Sequence, residues 1–215
     1  MKLTSVNIGQ KQIIEHDHRR ERTGIFKTPV SGPVRIGNLG LEGDFIASTK
    51  HHGGPDQAVY IYGAADYEWW SRELGREIGP GTFGENLTVS ELESARFSIG
   101  DRLQVGAVTL ELTAPRIPCD LFARRMDDPQ FIKRFREAER PGLYCRVLRE
   151  GAVQAGDKVS LESCRGETVA LLDVFRNFYD QQSSEETLRR LLQAPIAIRA
   201  RKDAEEKLAE LLAGK

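Results

Sequence analysis

Apolar and polar positions alternate with a period of two through most of the first 165 residues, and after Cys164 the period lengthens to that of a helix. The alternation predicts strands over KLTSVNI (2–8), AVYIY (58–62), RLQV (102–105), VTLEL (108–112), YCRVL (144–148) and KVSLE (158–162), with ENLTV (85–89) and LESC (161–164) as further extended segments. QVGAVTL reads as a hairpin turning at Gly106. Two helices interrupt the strands. One runs from Ala64 to Leu74 before Gly75, and the other from Gln130 to Ala138, after Pro129 and before Pro141 and Gly142. Many short strands whose edges need protection predict a mainly β protein built on a barrel, with helices outside it or across an end.

The tail carries three apolar stripes at helical spacing: Leu171, Val174, Phe175 and Phe178; then Leu188, Leu191 and Leu192; then Ala204, Leu208, Leu211 and Leu212. Ser183 and Glu186 form a capping box for the second helix, and Pro195 separates it from the third. The expected organisation is a barrel domain over 1–165 and a small three-helix domain over 166–215. About 50 residues bury little core alone, so the stripes pack on the barrel or on another subunit, and a homodimer is one expected assembly. From Glu167 onward eight Lys/Arg stand against nine Asp/Glu, which argues for packing over a basic nucleic-acid-reading face.

With 40% hydrophobic and 29% charged residues in 215, the composition is that of an ordinary globular chain. A net charge of −1 offers no general attraction to nucleic acid or anionic lipid. No apolar run reaches the length of a membrane span, and MKLTSVNIGQ lacks the regions of a secretory signal, so the expected compartment is the cytoplasm. Three cysteines without a CxxC predict neither a disulfide framework nor a zinc ribbon. Cys145 and Cys164 read as core residues. The charge run EHDHRRER (15–22) reads as a solvated face, with the substrate entrance or a reductase contact as its other readings, and Trp69 and Trp70 read as packing residues.

Two glycine-rich stretches bear on chemistry. GPGTFG (79–84) matches a dinucleotide-binding spacing but follows a helix and leads into a strand, the reverse of the required context. HHGGP (51–55) is a turn in which Gly53 and Gly54 take positive φ and let the backbone approach a ligand, such as a phosphate or a pterin-like ring. Its adjacent histidines point to opposite sides on an extended backbone, and no third zinc ligand lies at a standard spacing.

The remaining chemistry sits in APRIPCDLFARR (114–125). Pro115 and Pro118 keep the approach extended, while Asp120–Met126 forms a short helix, so Cys119 falls where that helix begins. Helix N–H groups there, with Arg116, Arg124 and Arg125, favour the thiolate. Cys119 is therefore either a nucleophile or soft-metal ligand, or a small buried hydrophobe.

The ordered set KTPVSGPV (27–34), GLEGD (40–44), HHGGPDQAVYIY (51–62), GTFGENLTVSEL (81–92), IGDRLQVG (99–106) and APRIPC (114–119) resembles the MOSC domain family, in its YiiM-like branch with a C-terminal three-helix domain. The resemblance implies a barrel related to that of pyruvate kinase, a molybdenum cofactor (molybdopterin with Mo) and Cys119 as the metal ligand. It further implies Lys27, Arg35, His52, Asn86 and Arg116 as cofactor-binding residues, with Glu85 and His52 as the groups available for proton delivery. The activity it implies is reduction of small N-hydroxylated substrates such as hydroxylaminopurines and amidoximes, fed by a separate electron-donating reductase, without a stable nucleic-acid complex and without a membrane. The competing readings are a sulfur or cofactor carrier using a Cys119 persulfide, and a non-catalytic binding barrel.

Overall fold

The computed structural model describes residues 1–16, 19–47, 52–180 and 182–214; His51, named above with its neighbour, lies outside them. In chain order the β region comprises β1 (Leu3–Gly9), β2 (Gln12–His16), β3 (Arg19–Thr23), β4 (Lys27–Pro29), β5 (Val34–Gly37), β6 (Gly40–Leu41), β7 (Val59–Gly63), α1 (Ala64–Leu74), β8 (Leu87–Val89), β9 (Arg102–Val105), β10 (Val108–Pro115), α2 (Asp120–Met126), α3 (Phe131–Ala138), β11 (Leu143–Arg149), β12 (Gly151–Val153) and β13 (Val159–Glu162). Three helices follow: α4 (Leu171–Tyr179), α5 (Glu185–Gln193) and α6 (Ile198–Ala213).

Eight strands form one sheet in the order β13-β9-β10-β11-β7-β8-β1-β4, with a three-stranded sheet β12-β5-β6 and a separate β2–β3 hairpin. The pair β7–β8 is parallel, because α1 and the loop after it form the crossover between them. The large sheet curls back on itself. Lys2, at the head of β1, bridges Lys158, at the head of β13, and Val159 N–H donates to the Met1 carbonyl at 3.0 Å. These contacts satisfy backbone groups that an open edge would leave to solvent.

Inside the curl lies an aliphatic core that includes Val6, Ile61, Leu87, Leu110 and Leu112. A second, aromatic core lies beneath α1 to α3, where the rings of Tyr62 and Phe83 stack at 4.4 Å and Trp70 donates to the Tyr62 hydroxyl at 2.8 Å. The tail joins both cores: Leu171, Val174, Leu191, Ala194 and Ile196 are buried with the sheet residues, and Phe175 and Ala197 with the aromatic ones. Each of the larger of these side chains contributes about 1.5–3 kcal/mol by leaving water. Two backbone bonds fix the docking, Leu171 N–H to Phe97 O at 2.9 Å and Ala197 N–H to Thr113 O at 3.0 Å.

Three details differ from the sequence reading. The cap of α5 is Ser184, whose hydroxyl accepts from Thr187 N–H at 3.1 Å, one residue beyond the Ser183–Glu186 box; Ser183 is drawn off to Asn177 at 2.7 Å. Phe178 is 56% exposed, and the buried face of α4 is Leu171, Val174 and Phe175. Cys164 lies past the end of β13, where its N–H donates to Asp101 at 2.9 Å.

Candidate active site

Strand ends, the hairpin arm and the tail helices enclose a cleft of about 1610 Å³. Its lining comes from β3, the segment 44–47, the His52–Gly53 turn, the loop 114–119, α2, and residues of α4 and α6. Among the described residues six Lys/Arg (Arg20, Arg22, Lys27, Arg116, Arg124, Arg199) and four Asp/Glu (Glu21, Asp44, Asp120, Asp203) line it, an excess of basic groups in a chain of net charge −1. Of the run 15–22, Glu15 and His16 lie in β2 and residues 19–22 in β3; Arg20, Glu21 and Arg22 are exposed and border the cleft.

Cys119 stands at the start of α2 with extended backbone (φ −132°, ψ 170°), and its carbonyl accepts the helix's first bonds, from Phe122 N–H at 2.9 Å and Ala123 N–H at 3.2 Å. Cys119 is half-buried, lines the cleft and packs against the aromatic core. Beside it Arg116 is buried, 5% exposed, with its guanidinium over the rings of Phe122 (4.6 Å) and Tyr60 (5.0 Å). Its Nη1 donates to the Tyr144 hydroxyl at 3.3 Å, while Nε has no hydrogen-bond partner. Burial opposes the Arg116 charge, but Tyr144, Tyr60 and Cys119 around it outweigh that and raise its pKa. Among the described residues no carboxylate forms an ion pair with Arg116. A buried cation so placed is electrostatically incomplete, and a bound anion would complete it.

Lys27, on β4, is differently provided for. Its amino group is ion-paired with Asp44, and the two side chains are 8% and 3% exposed. Burial lowers the Lys27 pKa, and Asp44 opposes that shift. Asp44 also accepts from Gly9 N–H at 2.7 Å and from Asn86 Nδ2 at 2.9 Å, and Asn86 Oδ1 accepts from Tyr60 N–H at 3.2 Å. Lys27, Asp44 and Asn86 thus form a fixed floor to the cleft. The GLEGD segment contains Asp44, but nothing local in the sequence marks it as the partner of Lys27.

Two expected site residues lie elsewhere. Arg35 is outside the cleft lining: in β5 the alternate residues Val34 and Ile36 face the core, so Arg35 points outward, 68% exposed, and pairs with Glu150 at 3.3 Å. Glu85 is fully buried behind the floor and does not line the cleft. Its Oε1 accepts from Gly81 N–H (2.6 Å), the Tyr67 hydroxyl (2.8 Å) and the Thr88 hydroxyl (2.8 Å), which organises the GTFGEN turn, while Oε2 lacks a partner. Burial raises the Glu85 pKa against these donors. His52 is half-buried in the cleft wall, next to Gly53 and Gly54 with φ of 76° and 84°.

Whether these residues suit a molybdenum cofactor turns on donors and charge. Among the described residues no group of three or more His, Cys, Asp or Glu could hold a metal ion, so a metal here would need most of its ligands from elsewhere, as a pterin dithiolene supplies. Cys119 provides one soft donor, and the unpaired Arg116 beside it provides charge for an anionic group. The residues present fit.

The family model of the MOSC domain matches residues 48–160, and the chain belongs to the MOSC domain family. Within it the chain is a homologue of the YiiM proteins. It is 31% identical to YiiM of Escherichia coli over 145 residues, 66% of this chain and 64% of that protein, and 36% identical to YflK of Bacillus subtilis over 163 residues, 76% and 73% of the two chains. A Gibberella moniliformis protein named a reductase is 35% identical over 143 residues, 65% of this chain but 25% of that longer one. The crystal structure of YiiM from Geobacillus stearothermophilus superposes with a TM-score of 0.78 at 25% identity, over 96% of this chain and 98% of that one; that of Escherichia coli YiiM shares the fold, with a TM-score of 0.76 at 23% identity over 100% and 94%. Among the described residues no helix is long and apolar enough to cross a membrane.

Proposed function

We propose that the protein is a molybdenum-cofactor-dependent reductase of small N-hydroxylated compounds of the hydroxylaminopurine and amidoxime type, with Cys119 as the protein ligand to the metal. The observation that carries this reading is the pairing of a cysteine that lines the cleft with a buried arginine that, among the described residues, has no carboxylate partner. The reaction is R–NHOH + 2 e⁻ + 2 H⁺ → R–NH₂ + H₂O, in which the N–O bond breaks and its oxygen leaves as water. When bound, the cofactor supplies the two-electron oxygen-acceptor chemistry.

Cys119 holds a soft, charge-donating ligand at the cleft wall, and the extended backbone before α2 orients its sulfur. Arg116 offsets the negative charge of thiolate and cofactor, fixed by two aromatic faces and by Tyr144. Lys27, Asp44 and Asn86 shape the floor. Proton delivery falls to His52, which lines the cleft, whereas Glu85 acts behind it by holding the turn before Asn86. Electrons come from a separate reductase; the similarity to a quarter of a longer fungal protein named a reductase agrees with a reductive role for a domain of this kind.

The test is Cys119→Ser, in protein purified from a cofactor-sufficient host and assayed with a reduced viologen dye as donor. Loss of N-hydroxyl reduction by about a hundredfold or more, with molybdenum per chain reduced and the fold intact, is expected, because a hydroxyl is a poor substitute for a thiolate. Undiminished activity would remove Cys119 from the metal. Wild-type protein that carries neither molybdenum nor pterin would remove the cofactor itself.

A further inference from the structure

We infer that Arg199, delivered by the C-terminal helices, is a second anion-binding residue of the cleft, and that with Arg116 it holds the negatively charged cofactor in the role the family resemblance implies for Arg35. The inference rests on the functional reading above and extends the site to a segment outside the matched domain.

Arg199 lies in the first turn of α6, half-buried, and borders the same cleft as Cys119 and Arg116. The two arginines act on one group. Tyr144 is buried, its hydroxyl accepts from Arg116 at 3.3 Å, and the charge of Arg199 also reaches it. The guanidinium of Arg199 is held in place. Nη1 donates to Gln57 Oε1 at 2.8 Å and Nη2 to the Gly53 carbonyl at 3.3 Å, both acceptors on the glycine turn.

The helix that carries it is held as well. Asp56 Oδ2 accepts from Ile198 N–H at 2.7 Å while its Oδ1 pairs with Arg146 at 3.1 Å, and Arg146 reaches on to the Pro195 carbonyl at 3.2 Å. Asp203, one turn further along α6, also faces the cleft, but its carboxylate pairs with Lys207 at 3.1 Å. The GGPDQ turn is therefore a latch: Asp56 and Gln57 set the tail's cation in the cleft wall. A cation fixed before the ligand arrives loses little freedom on binding it.

A purely structural role for Arg199, as a staple between turn and tail, predicts a different outcome from a role for its charge. Arg199→Gln keeps an amide that can donate to Gln57 or the Gly53 carbonyl but removes the charge. Arg199→Lys keeps the charge without the fork, and Arg199→Met keeps the stem without the charge. The measurements are molybdopterin per chain, read as its fluorescent oxidation product, and the thermal midpoint of the cofactor-free proteins. Pterin in the Gln and Met variants is expected to fall by about fivefold or more while Lys retains most of it, with the midpoints close together. Wild-type pterin in whichever uncharged variant is folded overturns the assignment of Arg199 alone. Absence of pterin from the wild type overturns the functional reading and this inference with it.

Discussion

Lys27 and Arg116 are both buried cations of the same cleft, drawn from different motifs, yet their surroundings are opposite. Lys27 is 8% exposed and has its carboxylate, Asp44, itself tied to Gly9 and Asn86. Arg116 is 5% exposed and is given two aromatic faces, a phenol and an unpartnered Nε. A neutralised cation belongs to the folded architecture; one left without a carboxylate belongs to whatever anion enters. The family motifs mark both positions alike, and only the three-dimensional partners tell floor from ligand site.

Breaking the neutralised pair has the largest expected effect on stability. Asp44→Asn leaves Lys27 buried without its counter-charge and should cost about 3 kcal/mol or more, read as a lower thermal midpoint of the cofactor-free protein. Adding Lys27→Met should recover more than half of the loss, since the introduced amide oxygen can still accept from Gly9 N–H. A midpoint for Asp44→Asn equal to wild type would show that the pair is not a structural unit.

Arg116→Met sharpens the contrast from the other side. Removing a buried cation that has no carboxylate should leave the cofactor-free protein within about 1 kcal/mol of wild type, while pterin per chain falls by about tenfold or more. Destabilisation without loss of pterin would reverse the two roles.

The local half of this contrast was legible in the sequence. The bounds of α1, α2 and β9 follow from caps, prolines and alternation, and Cys119 falls at the start of α2 as its flanking prolines require. Strands such as β6 (Gly40–Leu41) and β12 (Gly151–Val153) are too short, and β3 (Arg19–Thr23) too charged, to carry an apolar alternation, whereas the alternation in β5 (Val34–Gly37) spans only four residues. Of the site, Cys119, Arg116, Asn86, Lys27 and His52 do converge on the cleft, whereas Arg35 and Glu85 do not line it. Asp44, Tyr144 and Arg199 acquire their roles only from partners distant in the chain, which no local pattern encodes. Alternation in β5 places Arg35 on the face opposite Val34 and Ile36.

Glu85 adds a smaller, pH-dependent term behind the floor. Burial raises its pKa above the ordinary glutamate value, so the folded protein keeps the proton to a higher pH than the unfolded chain does. Its favourable contribution is therefore full below the unfolded value and is lost as pH rises through the folded one. Glu85→Gln keeps an acceptor for Gly81, Tyr67 and Thr88 and cannot ionise. The stability of the variant relative to wild type should climb as pH rises from about 4.3. Thermal midpoints of both cofactor-free proteins across that range check it; a pH-independent difference would mean that Glu85 ionises in the fold as easily as in the unfolded chain.

Arg35→Ala should do least. Its guanidinium is 68% exposed and meets Glu150, 45% exposed, at 3.3 Å, a geometry in which solvent screens the pair and side-chain ordering offsets most of the attraction. The expected loss is at most about 1 kcal/mol, shrinking further at high salt. Pterin per chain should stay at the wild-type level, because the alternation that buries Val34 and Ile36 turns Arg35 away from the cleft. That outcome, set beside the Arg116 variant, separates a cation that a motif contains from one that a ligand uses. A several-fold loss of pterin in Arg35→Ala would mean instead that the cofactor reaches beyond the cleft to the outer face of β5, and the contrast between floor and ligand site would have to be redrawn around that surface.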